Sequence, residues 1–313
     1  MKGVPDPRCS KNDSGAGGRL LEPCDLCEGE DFKLVASEDG HRIWRCLTCS
    51  LVQVRPLPPQ TERENQEYWK LDLDDPAVRR ARLGSRGVYS HGLNHLEEVT
   101  GASVAGKRVL DVGCGMGVFL DVAKERGAIP YGMDLSPEAV QFARKQLGIA
   151  TVTVGDFESA DFPLGFFQII TGWNVLEHVR SPRQWLAKAS HLLADDGVLL
   201  IKVPNVRFSA LASKLTSALR MLRLPTTGYI ATAPPLHLYG FCTTTLRRAL
   251  EAASFDVLSV ERAPIRETRG LTGRAIVGLA TLTSCLFAGT KEFHPVIMAL
   301  ARRRSGVKAA CPP

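Results

Sequence analysis

Val109-Leu110-Asp111-Val112-Gly113-Cys114-Gly115-Met116-Gly117-Val118-Phe119-Leu120 is the stretch around which this chain of 313 residues is organised. An apolar strand ends in a carboxylate, passes through three alternating glycines and runs into an apolar helix. Glycines so spaced let a loop adopt left-handed conformations and bring its backbone close to a ligand. In an open α/β sheet that ligand lies beyond the carboxyl ends of the strands. The spacing alone does not choose the ligand, because dinucleotide enzymes also use a glycine-rich first turn. A pyrophosphate is held by helix N–H groups. Asp111, two residues before the first glycine, instead favours a ligand carrying positive charge.

Further strands are expected at 129–133, 150–154, 166–173, 198–203, 255–260 and 296–301, with helices at 118–126 and 182–194 between them. Val198-Leu199-Leu200-Ile201-Lys202-Val203 is the near-continuous apolar run that a strand covered on both faces requires. Trp185, Leu186, Ala189, Leu192 and Leu193 recur on one helical face. The fold expected is α/β, Rossmann-like, with helices on both faces of a mostly parallel sheet. Asp134 closes the second strand, where an acid is placed to accept both hydroxyls of a ribose. Ser136-Pro137-Glu138 opens the next helix, so Ser136 rather than Asp134 is its cap.

Taken with Asp134, the Asp-x-Gly-x-Gly-x-Gly stretch resembles motif I of the class I methyltransferases that use S-adenosylmethionine. The resemblance spans roughly residues 107–302 and implies a seven-stranded sheet with one antiparallel strand. It places Asp111, Gly113, Cys114, Gly115, Gly117, Asp134, Leu135, Asp156, Phe157 and Asn174 around the donor, with Asp156 accepting from the adenine amino group. Cys114 reads as a small packing residue within that turn.

Leu176-Glu177-His178-Val179 after the fourth strand, and His237-Leu238-Tyr239-Gly240-Phe241 before a Thr-opened helix, narrow the resemblance. They are similar to the small-molecule methyltransferases related to the ubiquinone-biosynthesis O-methyltransferases. Gln168 stands where that family usually has Asp, and Asn174 where Glu is common. If the acceptor is a hydroxyl, a base must take its proton. His178 and His237 are the candidates, because histidine titrates near neutrality. A carbon or nitrogen acceptor could remove that need.

Cys24-Asp25-Leu26-Cys27 and Cys46-Leu47-Thr48-Cys49 are two Cys-x-x-Cys knuckles. Their separation matches a zinc ribbon of four thiolates, with a hairpin of 32–35 and 42–45 between the knuckles. A four-cysteine site leaves no open coordination position, so the zinc is expected to be structural. The expected domains are a disordered tail at 1–20, the ribbon at 21–60 and a helical cap at 61–100. The catalytic domain follows at 101–304, with inserts at 205–236 and 266–294, and a tail ends the chain at 305–313.

Residues 1–60 carry eight basic and nine acidic side chains, whereas 197–250 carry seven basic and none acidic. A ribbon that bound nucleic acid would carry a basic footprint, so a small-molecule acceptor is favoured over RNA. An RNA methyltransferase with a zinc-ribbon module stays open as the alternative, as does a non-catalytic cofactor-binding protein. In 206–224, Phe208, Leu211, Leu215, Leu219 and Leu222 recur at helical spacing with Lys214, Arg220 and Arg223 on other faces, and 271–288 is largely apolar; both a lid and a peripheral membrane contact fit these segments. Cysteine usage without a leader-like apolar segment points to a cytoplasmic location.

Overall fold

A computed structural model of the chain describes residues 22–38, 40–58, 76–208, 210, 237–264 and 294–304. The expected tails, the cap before Pro76 with Tyr68 and Trp69, and nearly all of both inserts lie outside the described residues. The segments 206–224 and 271–288 go with them, apart from 206–208 and 210. Among the described residues, no helix is long and apolar enough to cross a membrane.

The first unit is a small sheet of β1 (Phe32–Glu38), β2 (His41–Cys46) and β3 (Val52–Val54). β1 and β2 form the expected hairpin, with Glu38 opposite His41. Two helices follow, α1 (Pro76–Leu83) and α2 (Arg86–Thr100). The chain then alternates through β4 (Arg108–Val112), α3 (Val118–Glu125), β5 (Ile129–Asp134), α4 (Pro137–Gln146), β6 (Val152–Val154) and β7 (Phe167–Trp173). After α5 (Pro182–Leu192) come β8 (Leu193–Pro204), the short β9 (Tyr239–Gly240), α6 (Thr243–Ala252), β10 (Phe255–Arg262) and β11 (Val296–Arg303).

The main sheet has seven strands in the order β10-β11-β8-β7-β4-β5-β6. β11 runs antiparallel to both neighbours, and β8, β7, β4, β5 and β6 pair in parallel. Strand side chains alternate between the two faces. Leu110, Ile170, Leu199 and Ile201 join α5 and α6 in one apolar core. Val109, Ile169, Leu200 and Leu300 join α2, α3 and α4 in the other. Apolar runs are required because both faces are covered, and each fully buried Leu or Ile contributes about 1.5–3 kcal/mol.

Several boundaries differ from the sequence reading. α5 stops at Leu192 rather than Ala194, and β8 starts at Leu193 rather than Val198. Leu193 turns to an extended backbone (ψ 139°), pairs with Phe167, and has its carbonyl held by Arg303 Nη1 at 2.6 Å. Tertiary pairing thereby recruits Asp195-Asp196-Gly197, which read as a turn. The third strand begins at Val152 rather than Ala150.

The cysteine unit shares its sheet and its core with the main domain. β3 pairs with β9, placing Val52 opposite Gly240 and Gln53 opposite Tyr239. Cys24, Cys46, Cys49 and Leu51 belong to the same apolar core as Trp185 and Phe241.

Candidate active site

Gly113, Gly115 and Gly117 all take left-handed conformations, at φ of 67°, 51° and 76°. A side chain at Gly113 would also meet Val175 Cγ2 at 2.7 Å, whereas Gly115 faces open space. The turn is fastened to the next strand, where Met133 O accepts from Gly113 N at 2.9 Å and Cys114 N at 3.0 Å. Asp134 Oδ2 accepts from Gly115 N at 2.7 Å, and its Oδ1 accepts from Ser136 N at 2.9 Å. Ser136 caps α4, accepting from Ala139 N.

Asp111 is 2% exposed, and Thr171 Oγ1 donates to its Oδ1 at 2.6 Å. Burial pushes its carboxyl well above the usual range, and the charge of Asp134 adds to that rise; the Thr171 bond opposes it. A cation beside Asp111 would restore its ionised form. Burial likewise raises the Cys114 thiol, which therefore stays protonated and packs.

A cavity of about 430 Å³ opens at this turn. Of the expected site residues it is lined by Asp111, Gly113, Cys114, Gly115 and Asn174. Its remaining wall includes Ser85, Val88 and Tyr89 from the start of α2, Trp173 from the end of β7, and Lys202 from β8. Tyr89 and Phe119 pack against the Trp173 ring with centroids 5.0 and 5.3 Å away. The other expected residues stand outside this lining. Gly117 caps α3, Leu135 and Asp156 are exposed, and Phe157 is buried with its ring 5.0 Å from Trp185.

Sequence reasoning passed over Lys202 and Trp173. The available signal was a lone charge within the apolar run of β8. Asn174 sits at φ 61°, a conformation that asparagine tolerates better than most residues. Its backbone N–H donates to Lys202 O at 2.8 Å, and its Oδ1 accepts from Lys202 Nζ at 2.8 Å.

His178 and His237 come from segments far apart in sequence, yet their rings meet edge to face with centroids 4.7 Å apart. The backbone explains the meeting: Leu238 N and Tyr239 N both donate to Glu177 O. Glu177 itself went unmarked in the sequence. It is 1% exposed, neither side-chain oxygen has a hydrogen-bond partner among the described residues, and His178 Nε2 lies 3.8 Å from Oε1. Burial pushes its carboxyl up to about 8. One ligand atom from each of Glu177, His178 and His237 falls within 4.8 Å of the others, a spacing suited to a shared proton or a divalent cation.

The four cysteines of the knuckles converge, with their Sγ atoms all within 4.8 Å of one another. Cys24 and Cys49 are 3.6 Å apart, as are Cys27 and Cys46. A tetrahedral Zn–S distance near 2.3 Å separates sulfurs by about 3.8 Å, so the donor set fits zinc. The contact with Cys49 pulls the Cys24 thiol down to about 4 and pushes Cys49 up. Gln53 Nε2 also donates to Cys24 Sγ at 3.4 Å.

This unit reaches the histidine pair by two routes. Gln53 is paired with Tyr239, two residues from His237. Asp25 accepts from Ser181 Oγ and Arg183 N at the start of α5, three residues after His178. Tyr239 OH closes the ring by donating to Arg180 O at 2.8 Å.

A family model described as a methyltransferase domain matches residues 86–260. The chain is 30% identical over 179 residues to the ubiquinone biosynthesis O-methyltransferase of Aromatoleum aromaticum, covering 54% of this chain and 74% of that one. It is 29% identical over 169 residues to the protein of the same name from Pasteurella multocida, covering 49% and 70%. The solved structure of magnesium protoporphyrin IX methyltransferase from Synechocystis PCC 6803 with bound SAH aligns over 76% of this chain and 91% of that chain. Its sequence identity is 16% and its TM-score 0.48.

Proposed function

The chain belongs to the methyltransferase-domain family, and on that premise we propose that it moves a methyl group from S-adenosylmethionine to a hydroxyl oxygen of a small-molecule acceptor. The observation that carries the reading is the cavity over the left-handed glycine turn, with buried Asp111 in its wall. S-adenosylmethionine, when bound, supplies a methyl group already activated by a sulfonium.

The chain's own residues have three tasks. Asp111 offers a carboxylate to the cationic donor, and Asp134, already holding the turn through Gly115, is assigned to the ribose. Leu135, Asp156 and Phe157 are assigned to the adenine side, and Gly117 and Cys114 to the shape of the turn. Tyr89 and Trp173 keep water from the reacting centre, where holding the partners in line contributes up to about 7–11 kcal/mol. The His178–His237 pair is assigned to take the acceptor's proton. As the new oxygen–carbon bond forms, the carbon–sulfur bond breaks and its electron pair stays on sulfur. The four cysteines are assigned one structural zinc, whose task is to hold the ribbon against the histidine pair.

The O-methyltransferases of ubiquinone biosynthesis among the relatives support an oxygen acceptor of the quinone-precursor class. Calorimetry with S-adenosylmethionine tests the reading. Wild-type protein should bind it, and Asp134→Ala should weaken binding at least about tenfold, the loss of one charged hydrogen-bond acceptor. Folded wild-type protein that evolves no heat of binding would overturn it.

A further inference from the structure

Arg55 directly follows β3 and is only 5% exposed, although arginine carries its charge at every ordinary pH. Its backbone N–H donates to Arg42 O at 3.0 Å, so the chain is still tied to β2 at this point. The guanidinium lies over the Phe32 ring, with Cζ 4.2 Å from the centroid. Nη2 donates to the carbonyl oxygens of Glu22 and Pro23, the second at 3.2 Å. Those carbonyls immediately precede Cys24, so Arg55 grips the chain where it enters the first knuckle. Gln53, on the same strand, reaches that cysteine directly by donating to Cys24 Sγ at 3.4 Å.

The hydrogen-bond partners of the guanidinium are uncharged. Among the described residues no carboxylate forms an ion pair with Arg55, and Nη1 is buried without a hydrogen-bond partner. Burial pulls the guanidinium below the usual arginine range, and the charges of Cys24, Tyr239, Glu22 and Cys46 oppose that fall. A buried charge is costly unless an opposite charge stands near it. The ribbon has one such charge to offer. Four thiolates around a single zinc ion leave the centre with a net negative charge.

We propose that Arg55 is the counter-ion of the cysteine centre, so that metal loading and docking of the first knuckle against β3 are one event. The proposal rests on the assignment of zinc to the four cysteines and adds a charge requirement to it. The guanidinium offsets the excess charge of the tetrathiolate, and its N–H groups hold the carbonyls that lead into Cys24. The metal centre in turn gives the buried cation the opposite charge it otherwise lacks. Arginine suits both tasks, because its fork meets two carbonyls while its weakly hydrated face stacks on Phe32. Because β3 pairs with β9, the same event bears on the strand that carries Tyr239.

The full chain is titrated with zinc against pyridylazoresorcinol, a coloured chelator, and its melting temperature is read with and without the metal. Arg55→Met should weaken zinc binding about 10–100-fold, the usual loss when a group supporting a metal's ligands is removed. Arg55→Lys, which keeps the charge, should retain most of the affinity. Arg55→Gln, which keeps N–H donors and loses the charge, should lose as much as Arg55→Met. In metal-free protein Arg55→Met should leave the melting temperature unchanged or raise it, because an unpaired buried charge is gone. With zinc bound it should lower the melting temperature. Wild-type zinc affinity in Arg55→Gln, or equal destabilisation by Arg55→Met with and without zinc, overturns the proposal and leaves Arg55 a packing residue. If Arg55→Met does not fold, the Lys and Gln variants decide, and equal zinc affinity in those two overturns it. Wild-type protein that binds no zinc would fall on the zinc assignment instead.

Discussion

Ser181 Oγ donates a 2.6 Å hydrogen bond to Asp25 Oδ1. Asp25 lies between two metal-type cysteines, and Ser181 caps the helix that follows His178. The bond joins the cysteine ribbon to the candidate catalytic histidines. Burial raises the Asp25 carboxyl, and the Ser181 and Arg183 hydrogen bonds oppose that rise.

Asp25→Ala should therefore act on the acceptor side and spare the donor side. Loss of two hydrogen bonds at a helix start costs about 1–3 kcal/mol. Turnover should fall, while S-adenosylhomocysteine affinity and zinc content stay near wild type. Melting, calorimetry and elemental analysis read the three quantities, and a loss of donor affinity as large as the loss of turnover would contradict the coupling.

Purified protein should carry about one zinc per chain, since four thiolates complete one tetrahedral site. Chelation at elevated temperature, or Cys24→Ser with Cys49→Ser, should remove the metal and lower the melting temperature. Because β3 is paired with β9, exchange of the Val54 and Gly240 amides should speed up along with that of the rest of the ribbon. Protection of those amides unchanged in metal-free protein would show that the pairing stands without the metal.

Glu177 gives a pH signature. Burial raises its carboxyl to about 8, so the folded state keeps a proton that the unfolded state, with an ordinary carboxyl near 4.5, has lost. Stability should be full below the unfolded value and decline as pH rises toward 8. Glu177→Gln should remove that decline, which is on the order of a few kcal/mol across the window. Denaturant titrations at pH 5 and pH 8 with a chelator present measure it. Equal slopes in wild type and variant would show that Glu177 is ionised in the folded protein.

Two glycines of α2 should behave in opposite ways. A Cβ at Gly92 would meet Trp173 Cη2 at 2.4 Å, and a rigid indole cannot yield cheaply. Gly92→Ala should destabilise by about 1–3 kcal/mol and weaken donor binding by pushing Trp173 toward the cavity. A Cβ at Gly87 meets nothing within 4 Å. Gly87→Ala should be neutral or stabilising by up to about 1 kcal/mol. Melting curves and calorimetric titration with S-adenosylhomocysteine check the pair.

Most of the fold was legible because its signals are local. Apolar runs identified the strands of the main sheet, and Ser136 marked a helix start that the structure caps with its side chain. The knuckles of Cys24, Cys27, Cys46 and Cys49 declared their hairpin by spacing alone. The errors fell where tertiary pairing overrode local preference, as at Leu193, which β7 and Arg303 draw into a strand.

By itself the sequence determined the order of the main-sheet strands, the glycine turn with its acid and the set of four thiols, because each is written in residues close together along the chain. Only the tertiary structure decided that His178 meets His237, that Lys202 faces the same cavity as Asp111, and that Tyr239 completes the sheet of the cysteine ribbon. Those contacts join residues from separate elements, and their geometry comes from strand register and helix packing rather than from spacing. The donor turn is a local motif, whereas the candidate acceptor site is assembled by the fold.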